Sequence, residues 1–167
     1  MSGSTMRTVV STLVFACSAF AGCDARADAG CTALTNGVAF GVYDTLATAP
    51  DDSTGSVSVV CAYVGGGTDR VSYSVSLSTG SSNTYSTRKM RAGTSVLNYN
   101  LYSNAGHTTV WGNGSNGTTE MSGSFTIGPG VGNSLRIDTS TIYGRMPAQQ
   151  DALDGAYSDT IVVTLEF

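Results

Sequence analysis

His107 is the single histidine of this chain, and it follows Ala105-Gly106 in a segment that reads as a turn. Without a second histidine it reads as a solvated side chain. A zinc site needs about four donors from Cys, His or carboxylate, and a Ser or Cys nucleophile needs a base with its own orienting partner. Asp51-Asp52 carry no Asp-x-Asp-x-Asp-Gly continuation, so they read as a solvated loop rather than a calcium loop. Asp151 and Asp154 flank a turn before the last strand. As an acid–base pair they would need to meet His107 in one cleft, and nothing in the sequence marks them for that. Gly65-Gly66-Gly67 and Gly112-Asn113-Gly114 lack the strand-to-helix setting of a phosphate loop and read as turns. Trp111, Tyr99 and Tyr102 read as packing residues, with stacking on a sugar as the alternative role. Asn113-Gly114-Ser115 and Asn116-Gly117-Thr118 fit the glycosylation sequon, which matters only in a eukaryotic host. The expectation is a protein that is not an enzyme and holds no cofactor and no metal.

The N-terminal segment points to export. Arg7 precedes the apolar run Val9 to Gly22, and Ala27-Asp28-Ala29 has the small-x-small form of a cleavage site. Residues 1–29 therefore read as a secretory signal, too short and wrongly flanked for a membrane anchor, ahead of one domain over 30–167. Cleavage after Ala21, or lipidation at Cys23, are the alternatives. Removing 1–29 leaves Cys31 and Cys61, and two cysteines in an exported chain imply one disulfide. The balance stays at −4, with six basic residues (eight less Arg7 and Arg26) against ten acidic (twelve less Asp24 and Asp28). An acidic surface without a basic cluster excludes nucleic acid and anionic lipid as natural partners.

The elements that must position these residues are strands. Val71, Tyr73, Val75 and Leu77 alternate with serines, and Leu97, Tyr99 and Leu101 share a face. Val38, Phe40 and Val42 mark a first strand over 38–43, followed by a polar loop from Thr45 to Thr54. Val57, Val59, Cys61 and Tyr63 mark a second strand over 56–63. An antiparallel pair of these two brings Cys61 near Cys31, with a bulge to correct the register. Short strands are expected at 108–111, 124–127, 135–138 and 141–145. The last stretch alternates again: Ile161, Val163, Leu165 and Phe167 on one face, Thr160, Thr164 and Glu166 on the other. No stretch of ten or more residues has a helical period with caps, so the fold class is all-β, a sandwich or barrel. The apolar terminal strand needs a neighbour on its outer edge, because an exposed hydrophobic edge invites aggregation.

In order along the chain stand Phe40-Gly41-Val42-Tyr43-Asp44, Gly55 to Cys61, Tyr73 to Gly80, Arg88-Lys89-Met90, Leu97 to Tyr102 and Val110-Trp111-Gly112. Ile142 to Gln150 and Gly155 to Phe167 complete the set. Together they resemble the spore coat protein U domain family, the pilin-type subunits of archaic chaperone–usher systems. The resemblance implies an incomplete immunoglobulin-like β-sandwich that lacks its last strand and is completed by donor-strand complementation. A periplasmic chaperone first lends a strand, and a neighbouring pilin or coat subunit then replaces it, on the way past an outer-membrane usher to a surface fibre or spore or cell coat. The expected acceptor groove is lined by Val38, Phe40, Ile161, Val163, Leu165 and Phe167. Polymerising members carry an alternating apolar extension before the first cysteine, whereas Gly22 to Gly30 is polar and charged here. The expectation is a strand acceptor at a fibre end. The alternative is a tip adhesin or secreted binding module using the loops around Trp111 to Gly117.

Overall fold

The structure is a computed structural model that describes residues 29–65, 67–129, 131 and 134–167. The expected signal segment, apart from Ala29, lies outside the described residues. Eight strands form among them: β1 (Ala29–Asn36), β2 (Asp51–Tyr63), β3 (Asp69–Leu77), β4 (Arg88–Ala92), β5 (Ser95–Tyr102), β6 (Met121–Ile127), β7 (Leu135–Met146) and β8 (Val163–Glu166). They make two antiparallel sheets, one in the order β1-β2-β7-β5-β4 and one in the order β6-β3-β8. The inward faces are those the alternation assigns. Val57, Val59 and Cys61 of β2, Val75 and Leu77 of β3, and Leu97 and Leu101 of β5 are all buried. Apolar side chains at every second position leave water together, at about 25 cal/mol for each Å² buried.

Cys31 lies directly opposite Cys61 in the β1–β2 ladder, and the two are disulfide-bonded. No bulge is needed, because the first strand is not 38–43. It is β1, ending at Asn36, while 38–43 is irregular. The turn has a visible cause. At Gly55 of β2 a Cβ would sit 2.6 Å from the Asn36 carbonyl oxygen, so only glycine lets the chain leave the β1 track and cross the inner face here. Gly41, at φ +83°, continues the irregular path, and Val42, expected inside with Val38 and Phe40, is 96% exposed.

Three other expectations change. Asp51 to Thr54 belong to β2 rather than to a loop, since the long β7 offers them partners from Tyr143 to Met146. The segments 135–138 and 141–145 are one strand. Thr139-Ser140-Thr141 continues it across from Ser56 to Ser58 of β2, with Ser58 and Thr139 hydroxyls 2.8 Å apart. The segment 108–111 makes only isolated bridges, Tyr102 to Val110 and Trp111 to Thr119.

Trp111 is fully buried, and its indole N–H donates to the Val75 carbonyl at 2.9 Å. Packing is its role, and surface contact by this side chain is ruled out.

Candidate functional site

A cleft of about 820 Å³ opens between two stretches of chain that are not strands, 37–43 on one side and 152–161 on the other. Its apolar floor comes from both sheets, with Leu77, Leu97, Leu101, Ile142 and Met146 reaching it. Tyr99 also reaches it, and its ring meets Phe40 edge-on at 6.0 Å.

The first wall is held by side chains rather than by a ladder. Among the described residues, Gly37–Val42 make no backbone-to-backbone hydrogen bond. Ser53 Oγ donates to the Ala39 carbonyl at 2.6 Å, and Tyr43 Oη donates to the Pro147 carbonyl at 2.7 Å. Val38 and Phe40 lie on Gly144 of β7. A Cβ there would be 2.7 Å from Val38 Cγ1 and 2.7 Å from Phe40 Cζ. Two glycines on neighbouring strands, Gly55 and Gly144, thus make the trough in which this wall is seated.

The second wall is pinned by its polar groups. Ser158 and Arg91 exchange backbone hydrogen bonds at 2.9 and 3.2 Å. Asp159 accepts Tyr99 Oη at 2.8 Å, the Ser81 amide at 3.0 Å and its neighbour Thr160's amide at 2.9 Å. Burial, reinforced by the bond to Asp159, pushes the Tyr99 phenol well above its ordinary range, so it stays a neutral donor. Gly80, at φ +62°, leaves room for this carboxylate, which a Cβ would strike. Past the wall, β8 pairs with β3 through Val163 to Glu166, and among the described residues no strand pairs with its other edge.

Of the expected groove residues, the cleft brings together Val38, Phe40, Ile161 and Val163. Leu165 is half-buried against the core further along β8 and does not line the cleft. Phe167, one residue past β8, is 62% exposed. Sequence reasoning missed the floor residues Met90 and Met146 and the positioning residues Gly55, Gly144 and Asp159. Met90 stands inward on β4 beside Leu97, a pairing that no local pattern announces.

Of the three candidate acid–base residues, Asp154 lines this cleft, and His107 and Asp151 do not. His107, with φ +53°, sits edge-on to the rings of Tyr102 and Tyr143, its Nε2 3.8 Å from Asp52. Asp52 accepts two hydrogen bonds from Arg145, both 2.6 Å. Those bonds, with smaller help from the charges of His107 and Arg145, hold the Asp52 carboxyl below its ordinary range. His107 is in contact with neither Asp151 nor Asp154. Among the described residues no group of three His, Cys, Asp or Glu is placed to hold a metal ion, and no helix is long and apolar enough to cross a membrane. An apolar cleft beside a free strand edge suits an extended peptide, whose backbone pairs with the edge and whose alternate side chains fill the cleft.

A family model for the Spore Coat Protein U domain matches residues 11–164. Protein U of Myxococcus xanthus is 30% identical over 116 residues, which are 68% of this chain and 59% of that protein. A solved structure of similar fold is the CsuC-CsuE chaperone–tip adhesion subunit pre-assembly complex from the archaic chaperone–usher Csu pili of Acinetobacter baumannii. The match has a TM-score of 0.51 at 26% identity and covers 83% of this chain and 40% of that one. The chain therefore spans 59% of one relative's length and 40% of the other's.

Proposed function

The chain belongs to the Spore Coat Protein U domain family, and from that membership we propose that it is an exported, non-enzymatic structural subunit of a surface fibre or coat, a strand acceptor. In this reading its immunoglobulin-like sandwich lacks the last strand and takes one in trans. A periplasmic chaperone supplies that strand first, an outer-membrane usher passes the subunit outward, and a neighbouring pilin or coat subunit supplies the final strand. The observation that carries the reading is an apolar cleft of about 820 Å³ between two stretches outside the sheets, 37–43 and 152–161, which reaches Val163 at the start of β8, an edge strand among the described residues. Backbone hydrogen bonds to β8 would give affinity, and side chains entering between Val38, Phe40, Ile161 and Val163 would give register. The similar Csu subunit was crystallised in a chaperone complex, which supports the same class of partner here. The polar and charged stretch Gly22 to Gly30 supports a fibre-end position, since it carries no alternating apolar donor pattern.

The test is thermal unfolding of the oxidised protein with and without a synthetic peptide of a partner pilin's alternating apolar segment. A large, saturable rise in the unfolding midpoint, with amide exchange slowed in 37–43 and in β8, is the expected result. A stable monomer whose midpoint and exchange ignore the peptide overturns the acceptor reading.

A further inference from the structure

A second concavity lies away from the cleft and shares no lining residue with it. It has a volume of about 450 Å³ and lies between two loops, 79–86 and 110–118. That volume is in the range of small-ligand sites. The chemistry of its lining is uniform. Asn83, Thr84, Tyr85, Ser86, Asn116 and Thr118 supply hydroxyls, carboxamides and one aromatic ring, and neither loop contains a charged residue. The Asn83 carboxamide and the Tyr85 phenol make no hydrogen bond to any described residue, and Asn116 makes only a long one, 3.4 Å, to its neighbour Ser115.

The two loops are held at their roots by a buried cation. Arg88 is fully buried, yet among the described residues no carboxylate forms an ion pair with it. Its guanidinium donates twice to the Ser78 carbonyl, at 3.0 and 2.9 Å, once to the Trp111 carbonyl at 2.7 Å, and once to Asn100 Oδ1 at 2.7 Å. Asn100 in turn donates to the carbonyls of Tyr85 and Ser86 at 2.9 and 3.3 Å. Ser78 precedes the first loop and Trp111 lies at the start of the second, so one side chain fixes the base of both. Burying an arginine is costly unless its bonds are made, and these bonds join two loops whose sheet-type pairing is limited to bridges at Val110 and Trp111. Asn83 at φ 58° and Asn116 at φ 52° are two of the four described non-glycine residues with positive φ, and both line this concavity. Such backbone positions concentrate at ligand clamps.

We propose that this concavity binds a neutral saccharide, with Tyr85 as the apolar platform and Asn83 and Asn116 hydrogen-bonding its hydroxyls. A neutral ligand fits because neither loop contains a charged residue, and Arg88 is fully buried behind the Tyr85 ring with four of its five N–H donors on backbone carbonyls and Asn100. The site does not rest on the strand-acceptor reading, and a strand seated in the cleft leaves it open.

The experiment is saturation-transfer NMR and calorimetry on the oxidised protein with maltotetraose, cellotetraose, mannotetraose and tetra-N-acetylchitotetraose, with tetragalacturonate as the charged probe. At least one neutral probe is expected to bind saturably. Asn83→Gly, which keeps the left-handed backbone accessible, and Tyr85→Phe, which keeps the ring, should each weaken that probe about five- to tenfold, the worth of one hydrogen bond. Unchanged emission from buried Trp111 shows that each variant is folded. No binding by any neutral probe, binding by tetragalacturonate alone, or binding that both variants leave intact overturns the proposal.

Discussion

Adding one methyl group at Gly144 tests how the proposed acceptor cleft is built. In Gly144→Ala the new Cβ would lie 2.7 Å from Val38 Cγ1, 2.7 Å from Phe40 Cζ and 3.1 Å from Phe40 Cε1. Such overpacking costs about 1–3 kcal/mol, and replacing a strand glycine by alanine returns about 0.5–1 kcal/mol. The net penalty centres on about 1–2 kcal/mol. Where it falls depends on the wall. The backbone of Gly37–Val42 has no ladder hydrogen bonds among the described residues, so this segment lifts at less cost than β7 can bend. The penalty is then felt in donor-strand binding, as a loss of roughly five- to thirtyfold in peptide affinity, with a smaller shift of the urea midpoint. Titration of a fluorescent donor peptide against wild type and variant reads the first quantity, and urea unfolding reads the second. Gly55→Ala is the contrasting case, because its Cβ would meet the Asn36 carbonyl oxygen at 2.6 Å and the Gly37 carbonyl carbon at 3.0 Å. Backbone cannot rotate away as a side-chain tip can, so its loss of global stability should exceed that of Gly144→Ala. Peptide affinity within twofold of wild type for Gly144→Ala, together with an unchanged urea midpoint, would refute this account of the wall.

Four further outcomes follow from the same structure. Replacing Cys31 and Cys61 by alanine opens a loop with a sequence separation of 30, and the chain-entropy model puts the loss at about 3.6 kcal/mol in urea unfolding. Arg88→Met strands the Ser78 and Trp111 carbonyls, while Asn100 Oδ1 keeps its bond from the Leu101 amide. At about 1–3 kcal/mol for each orphaned group, the loss should be about 2 kcal/mol or more, and a loss below about 1 kcal/mol would show that water replaces the guanidinium. Asp52 has a depressed pKa, so its stabilisation is present above the unfolded carboxylate range and disappears as pH falls through the lower folded value. Asp52→Asn should flatten the acid limb of the stability curve and be less stable than wild type at pH 7. Tyr73 and Tyr99 are both raised, mainly by burial, so above a pH of about 10 the unfolded chain releases protons that the folded chain keeps. Stability should therefore fall through alkaline pH, with less fall in Tyr99→Phe, and two of the eight tyrosines should resist spectrophotometric titration until unfolding.

The sequence by itself determined the class of fold, the disulfide and the inward faces of the central strands. Period-two alternation in 71–77 and 97–101 needs no knowledge of a partner strand, because a side chain's face follows from its parity along the backbone. The order of motifs from Phe40 to Phe167 carried the family in the same way. Tertiary structure decided what depends on a distant neighbour. Val38-Ala39-Phe40 has the pattern of a strand, yet it forms a cleft wall, since Gly55 and Gly144 clear a path across β2 and β7 and no strand lies alongside. Arg88 looks like part of a basic surface segment, but the carbonyls of Ser78 and Trp111 converge on it from two loops and draw it inside. Phe167 continues the apolar face of the terminal strand and is nonetheless exposed, because β8 ends at Glu166, opposite Ser74 of β3. Parity is a local property that a sequence displays. Which element faces a strand, and where that pairing ends, is settled only when residues a hundred positions apart meet.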